Sequence, residues 1–118
     1  MANAGLFIGW NRPIAGREQL ALELFSSATQ FWSQQQAQGR IESFEPILLA
    51  PHAGDLNGFI FVRGERGKLN AIKDSQEFHD IMVRAGMLLH DVGCVDAHVG
   101  EAMAMQLQRF QRAIPAAK

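Results

Sequence analysis

Cys94, Asp96 and His98 are the side chains whose types and spacing most clearly suggest chemistry. They alternate with apolar residues, and successive side chains of a strand point to opposite faces, so a strand here would place all three on one face. An aspartate can hold a neighbouring imidazole in one tautomer and raise its basicity, so Asp96 and His98 together suit a general base. Residues two apart on a strand lie about 6 to 7 Å from each other, which disfavours a directly hydrogen-bonded Cys-His nucleophile pair.

Two interpretations of this group stay open. In the first, Cys94 belongs to the polar wall of a pocket, in which Asp96 and His98 act as catalytic residues. In the second, the three side chains form the half-solvated face of an edge strand, where charged residues protect the strand against pairing with another chain.

Glu45 and Arg63 are a second candidate pair, because each lies within an otherwise apolar segment. Ionisable groups in such surroundings are costly unless they are paired. They could form an exposed salt bridge across a hairpin. Alternatively, they could line a cleft between helices and sheet, where one of them would orient a polar substrate or act as an acid or base.

Metal and phosphate chemistry are not indicated. A metal site would require convergence of residues such as His52, His90, His98, Asp91 and Asp96, and their spacing matches no recognised ligand motif. The glycines of the segment 64–67 lack the lysine and the spacing of a phosphate-binding loop. The sequence therefore predicts no metal and no cofactor.

Composition limits the classes of protein to which the chain can belong. Its 118 residues, 47% hydrophobic and 19% charged, predict one domain over 1–118. The 11 basic and 12 acidic residues are dispersed and give a formal charge of −1, so neither nucleic acid nor an anionic membrane surface is an expected partner. No apolar stretch approaches the roughly 20 residues of a membrane span. The start, MANAGLFIGW, lacks the features of a secretion signal, and a cytoplasmic location is expected.

The stretch 39–64 predicts two long strands joined by a turn. Residues 41–50 alternate and then become apolar on both faces, turn-forming residues follow from Pro51 to Asn57, and 56–63 is apolar enough for a central strand. Pro46 cannot donate a ladder hydrogen bond, so the first of these two strands is expected at an edge of the sheet.

Helical periodicity predicts the other main elements. A first amphipathic helix covers 17–38, with Gly39 as its C-cap. A broken helical region follows the hairpin. Its second helix is expected to start near Ser75, with Asp74 as N-cap in a capping box with Glu77 and with Gly86 as its end.

The complete order is strand, helix, strand, strand, helix, strand, helix. The first strand covers 6–11 and the last runs from Leu89 onward. Residues 101–118 form a C-terminal helix and tail, in which Pro115 ends the helix. This order predicts an α+β, ferredoxin-like βαββαβ fold with an antiparallel sheet and helices on one face. The other face would leave either Phe59 and Phe61 or their neighbours Ile60 and Val62 bare, and a partner sheet is the simplest cover.

Element order and the pattern Leu69-x-x-Ile72-x-x-Ser75-x-Glu77-Phe78 resemble the dimeric α+β barrel superfamily over approximately 6–100. The segment from Leu56 to Phe59 looks most like uncharacterised members. The resemblance implies a sheet-to-sheet homodimer of ferredoxin-like subunits. It implies no single activity, because the superfamily includes haem-degrading and quinol-forming monooxygenases, dehalogenases and isomerases.

The haem-degrading branch gives one further comparison. In that branch a histidine on the second helix binds iron and an asparagine near the end of the first strand orients oxygen, and His79 and Asn11 occupy similar places here. That branch also carries a tryptophan near the same helix, whereas Trp10 and Trp32 lie in the first strand and first helix. The alternative is that His79 is an ordinary residue of a helix surface.

Three functions therefore remain open. The first is binding or transformation of a small apolar or aromatic molecule in a pocket between sheet and helices. Its catalytic residues would be His98, Asp96 and His79, and its wall would include the residues Asn11, Trp10, Glu45, Arg63 and Cys94. The second is a non-catalytic homodimeric interaction module that uses the C-terminal helix. The third is a haem-binding, monooxygenase-like protein.

Overall fold

A computed structural model describes residues 3–115. Its four strands are β1 (Ala4–Trp10), β2 (Ser43–Leu48), β3 (Gly58–Gly64) and β4 (Gly93–His98). They form one antiparallel sheet in the order β2-β3-β1-β4. The predictions of a central β3 and an outer β2 are both confirmed, and Pro46 lies on that edge strand, where its missing N–H is tolerated.

Four helices connect and follow the strands. They are α1 (Glu18–Ala37), α2 (Arg66–Lys73), α3 (Gln76–Leu88) and α4 (Glu101–Ala113). The pair α2–α3 together makes the crossover from β3 to β4, so the chain up to His98 has the predicted ferredoxin-like βαββαβ order. The C-terminal helix also agrees with its prediction, and residues 116–118 of the predicted tail lie outside the described residues.

The core lies between the sheet and the first three helices. Leu6 of β1 and Val62 of β3 are completely buried there. Trp32 of α1 packs edge-to-face against Phe78 of α3, with ring centroids 5.9 Å apart. Burying a large apolar side chain contributes about 1.5–3 kcal/mol, so this shared layer holds the helices to the sheet.

The opposite face of the sheet is apolar as well. Strand register places Phe59 and Phe61 on it, which resolves the choice that the sequence left open, and Phe7 stacks on Phe59 with centroids 4.9 Å apart. Gly5 and Gly9 of β1 allow the rings to lie close to the sheet. A Cβ at Gly5 would come within 2.8 Å of the Phe61 ring, and one at Gly9 within 2.7 Å of the Phe7 ring. We call this surface the open sheet face; it comprises the outward residues of the four strands, including Phe7, Ile47, Phe59, Phe61 and Val95.

Several boundaries differ from the predictions for local reasons. Ser75, rather than Asp74, is the N-cap of α3 and accepts a 3.2 Å hydrogen bond from the Phe78 N–H, because Asp74 serves as the C-cap of α2. Gly86 does not end α3, since a single helical glycine costs only about 1 kcal/mol. The β2–β3 connection is a loop over 49–57, longer than the short turn predicted. Gly39 does occupy the left-handed conformation expected after α1, with φ +75°.

The C-terminal helix lies apart from the core. None of the residues of α4 is buried, and Leu107 and Phe110 are 62% and 70% exposed. The radius of gyration is 16.4 Å, whereas a compact domain of this length has about 13.5 Å. The fold thus leaves two apolar surfaces uncovered, the open sheet face and one side of α4.

Candidate functional site

An apolar cavity of about 300 Å3 lies between the sheet, α1 and α3. The sheet forms its floor through Ile8, Trp10, Leu48 and Ile60, which all point toward the helices. The cavity is therefore at the end of the sheet where β1 finishes and β3 begins.

Small residues on the two covering helices create the space. Ala21 and Ala28 on α1 and Ala85 on α3 are buried and line the cavity, but their methyl groups are too short to fill the gap above the sheet. A pocket between sheet and helices was expected from the sequence, but Trp10 is the one residue named for its wall that lines this cavity. Alanines on the inward faces of both helices were the signal that could have indicated it.

The chemistry of the wall is uniform. Every side chain that lines the cavity is apolar apart from the indole N–H of Trp10, whose ring packs edge-to-face on Phe25 with centroids 6.1 Å apart. The other lining residues come from α1, α3 and the adjoining loops: Pro13, Leu22, Leu24, Ile81, Met82, Leu89 and Val92. Such a wall favours an apolar guest and offers no acid, base or nucleophile to it.

A polar network closes the loops beside this cavity. Asn11 Nδ2 donates a 3.1 Å hydrogen bond to Asp91, and Asn57 Nδ2 donates to Asn11 Oδ1. Beside this network, the backbones of Pro13 and Leu89 form an isolated antiparallel β-bridge. The β1–α1, β2–β3 and α3–β4 loops are thereby tied together, and the Asn11 amide is used in this tie rather than in the cavity wall.

Cys94, Asp96 and His98 share one face of β4, as predicted, and that face points toward the helices. β4 is an edge strand. Asp96 accepts a 2.7 Å hydrogen bond from Lys73 Nζ and forms a 3.1 Å ion pair with Arg66. The carboxylate thus joins α2 to β4.

This charged cluster lies away from the cavity. Asp96 is opposite Leu6 and His98 is opposite Ala4, whereas the cavity lies at the other end of β1, beyond Ile8. Neither Asp96 nor His98 lines the cavity, so the structure does not bring these two predicted catalytic residues to it.

The pKa values of Asp96 and Cys94 are shifted in opposite directions. The hydrogen bond from Lys73 lowers the pKa of Asp96 below its ordinary 3.8, and the charges of Arg66, Lys73 and His98 act in the same direction. Burial raises the pKa of the Cys94 thiol, so Cys94 is protonated at neutral pH and poorly nucleophilic.

The remaining predicted residues are dispersed. Trp10 lines the cavity, but Glu45 and Arg63 lie on the open sheet face because strand alternation turns them away from the helices. Arg63 places its guanidinium 5.0 Å from the centroid of the Phe61 ring. His79 is an exposed residue of α3.

These positions do not suit haem. His79 does not line the cavity, and the side-chain amide of Asn11 is hydrogen-bonded to Asp91 and Asn57. The structure therefore does not bring the two residues expected to serve iron and oxygen to this cavity. Within residues 3–115 no group of three or more His, Cys, Asp or Glu side chains is arranged to hold a metal ion. Among the helices of that same range, none combines the length and apolar character needed to cross a membrane.

Comparison with known proteins supports the fold. No protein-family model matches the chain, and no curated protein sequence matches it. The crystal structure of a dimeric protein of unknown function with a ferredoxin-like fold, from Bacteroides fragilis NCTC 9343, is similar with a TM-score of 0.61. The two chains are 11% identical over 80% of this chain and 94% of that one. The predicted ferredoxin-like fold is confirmed, as is the likeness to an uncharacterised protein of that fold.

The charged cluster generates a prediction about acid stability. A lowered pKa means that Asp96 stabilises the fold above its ordinary pKa and that this contribution is lost as the pH falls through the lowered value. The Asp96 side chain is 43% exposed, so water screens the pairs and Asp96→Asn is expected to cost about 0.5–1 kcal/mol at neutral pH. This difference from the wild type should shrink as the pH falls below 3.8.

Urea unfolding at a series of pH values would measure this. Asp55→Asn, which removes a carboxylate from the exposed 49–57 loop, is the control. A difference between Asp96→Asn and wild type that is independent of pH would contradict the assigned role.

Proposed function

We propose that this chain forms a homodimer in which each subunit binds a small apolar or aromatic molecule in the cavity between the sheet and the helices. The observation that carries the proposal is the apolar wall of a space of about 300 Å3. An apolar cavity half that size, about 150 Å3, is sufficient to bind benzene in another protein. A fused two-ring aromatic or a similar hydrocarbon therefore fits the available volume.

The expected affinity follows from the kind of contact available. With no hydrogen-bonding partner other than the Trp10 indole, binding must come from apolar burial and dispersion. At about 0.5 kcal/mol per heavy atom, a ligand of about ten heavy atoms would gain about 5 kcal/mol, a Kd on the order of 0.2 mM. A natural ligand that fills the space more completely would bind more tightly.

Binding is favoured over catalysis by the same wall. Proton transfer needs a titratable group within hydrogen-bond reach of the substrate, and the cavity lining contains none. Catalytic roles for His98, Asp96 and His79 stay predictions. They would require a substrate outside this cavity.

The homodimer is supported by the open sheet face. An apolar surface rimmed by polar groups is typical of an interface, and Phe7, Phe59, Phe61 and Val95 form such a surface here. The similar structure from Bacteroides fragilis is described as dimeric. Packing sheet against sheet would cover the aromatic rings of both subunits.

A second candidate function is a non-catalytic interaction module. The observation that favours it is α4, where Met103, Leu107 and Phe110 follow one another at helical spacing and are all more than half exposed. A helix with this pattern and no buried residue has an apolar side that suits a binding partner.

The cavity can be tested with naphthalene as the probe. Its addition should shift the indole 15N–1H NMR signal of Trp10, which lines the cavity. The corresponding signal of Trp32 should be unchanged, because Trp32 is buried in the core and does not line the cavity. Ala85→Leu extends a side chain into the space and should weaken binding at least tenfold. Ala71→Leu adds the same atoms at an exposed position of α2 and is the matched control.

Equal shifts of both indoles, or unchanged binding by Ala85→Leu, would contradict cavity binding. Thermal unfolding of both variants would separate loss of the site from loss of the fold.

The sheet-to-sheet dimer can be tested with two valines of equal exposure. Val95 on the open sheet face and Val83 on α3 are each 59% exposed. Val95→Lys would bury an unpaired charge in the interface and should raise the dimer Kd at least tenfold, because such a charge loses its hydration. Val83→Lys should leave it unchanged. Sedimentation velocity over a concentration series measures both, and equal effects of the two variants would count against this interface.

The two candidate functions differ in their dependence on α4. Leu107→Gln combined with Phe110→Gln keeps good helix formers but removes apolar surface. Assembly should survive this change if the open sheet face makes the dimer, and should be lost if α4 makes it. The core should melt at the same temperature in either case, because α4 has no buried residue. Leu20→Gln, at an exposed leucine of α1, is the control for light scattering and calorimetry.

A further inference from the structure

Two opposite charges lie on the open sheet face, which is otherwise apolar apart from Ser43. Glu45 of β2 lies opposite Phe61, and Arg63 of β3 lies opposite Ser43, so the two charged residues are diagonal neighbours two positions apart in the ladder. Both are exposed. If this face is covered in a dimer, both charges are removed from water, and such burial is costly unless each finds a partner.

Among the described residues of one chain, neither charge has an ion-pair partner. The ion pairs found within residues 3–115 are those of Asp96 with Arg66 and Lys73. Arg63 instead lies over the Phe61 ring at 5.0 Å. Stacking on an aromatic face leaves the N–H groups at the edge of a guanidinium able to donate to a carboxylate.

We propose that Glu45 of each subunit forms an ion pair with the partner's Arg63, once on either side of a two-fold axis. The inference rests on the homodimer proposed above and identifies what aligns it. In a two-fold interface the same surface is used by both subunits, so a contact from one residue to another is made in both directions. Opposite charges at the two positions therefore form two equivalent ion pairs in each dimer.

The strand register is compatible with this pairing. The row formed by Phe44 and Val62 lies midway between the row of Ser43 and Arg63 and that of Glu45 and Phe61. A two-fold axis crossing the strands at this middle row exchanges the two outer rows and keeps all four strands in the interface. Glu45 is then displaced from the partner's Arg63 by about one strand spacing, 4.8 Å, within the plane of the sheet and by the roughly 10 Å between two packed sheets. Two long side chains that point toward each other can span this separation.

Charge reversal tests the pairing in the full chain. Glu45→Arg alone places like charges against each other in its homodimer, and so does Arg63→Glu alone, so each should raise the dimer Kd at least tenfold. Mixing the two variants brings each arginine against a glutamate of the other chain. The heterodimer should recover a Kd within about threefold of wild type.

The mixture distinguishes pairing between subunits from pairing within one chain. If Glu45 and Arg63 paired within a chain, the like charges would remain together in every chain of the mixture and no recovery would occur. A chain carrying both changes, Glu45→Arg with Arg63→Glu, should dimerise as wild type does, which shows that the reversed charges are compatible with folding.

Net charge alone requires a control, because oppositely charged chains attract in general. Glu77→Arg and Arg84→Glu make the same changes at exposed positions of α3. Their homodimers should keep the wild-type Kd, and their mixture should show statistical exchange by native mass spectrometry of 15N-labelled and unlabelled chains.

Unaltered homodimers of the single variants, or a mixture that fails to recover, would overturn the ion pair while leaving the Val95→Lys comparison to decide the dimer. A wild-type chain that is monomeric throughout the concentration series would overturn both.

Discussion

The sheet has apolar side chains on both faces, but the chain supplies helices for only one of them. Leu6 and Val62 point toward α1, α2 and α3 and are fully buried. Phe59 and Phe61, which lie on the same strand as Val62, point to the opposite face. Strand alternation makes this division unavoidable, since a residue cannot be moved to the other face without shifting the whole register. Folding of one chain therefore covers one face of the sheet and leaves the apolar side chains of the other face uncovered.

The covered face is itself incompletely filled. Where α1 and α3 present aromatic and long aliphatic side chains, as at Trp32 and Phe78, the core is closed. Where they present alanines, above Ile8 and Ile60, a cavity remains. The cavity opens to solvent beside Leu22 and Leu48, which are exposed, and a guest of matching shape would make dispersion contacts with its apolar wall. The same sheet thus accounts for both the cavity and the uncovered apolar face.

Polar side chains act mainly as ties between elements. Asp96 connects α2 to the edge strand β4 through Arg66 and Lys73, and Asn11 connects three loops through Asn57 and Asp91. Hydrogen bonds of this kind contribute about 0.5–1.5 kcal/mol each. Their value here is geometric, because Asn11 fixes the loops beside the cavity and Asp96 fixes the edge strand β4 to α2. Glu45 and Arg63 differ from them in facing outward, toward the surface that a second subunit would cover.

The amino-acid sequence by itself determined the order of the elements, the central position of β3, the edge position of Pro46 and the common face of Cys94, Asp96 and His98. These features follow from local periodicity and from restrictions on single residues, which act over a few positions. Only the tertiary structure decided that Phe59 and Phe61 are uncovered and that Asp96 forms ion pairs with residues of α2. It also decided that alanines of α1 and α3 lie together above Ile8 and leave a cavity. The physical reason is that burial, ion pairing and empty space depend on which residues distant in sequence meet across the core. No periodicity within one element specifies the residue that a neighbouring element places opposite.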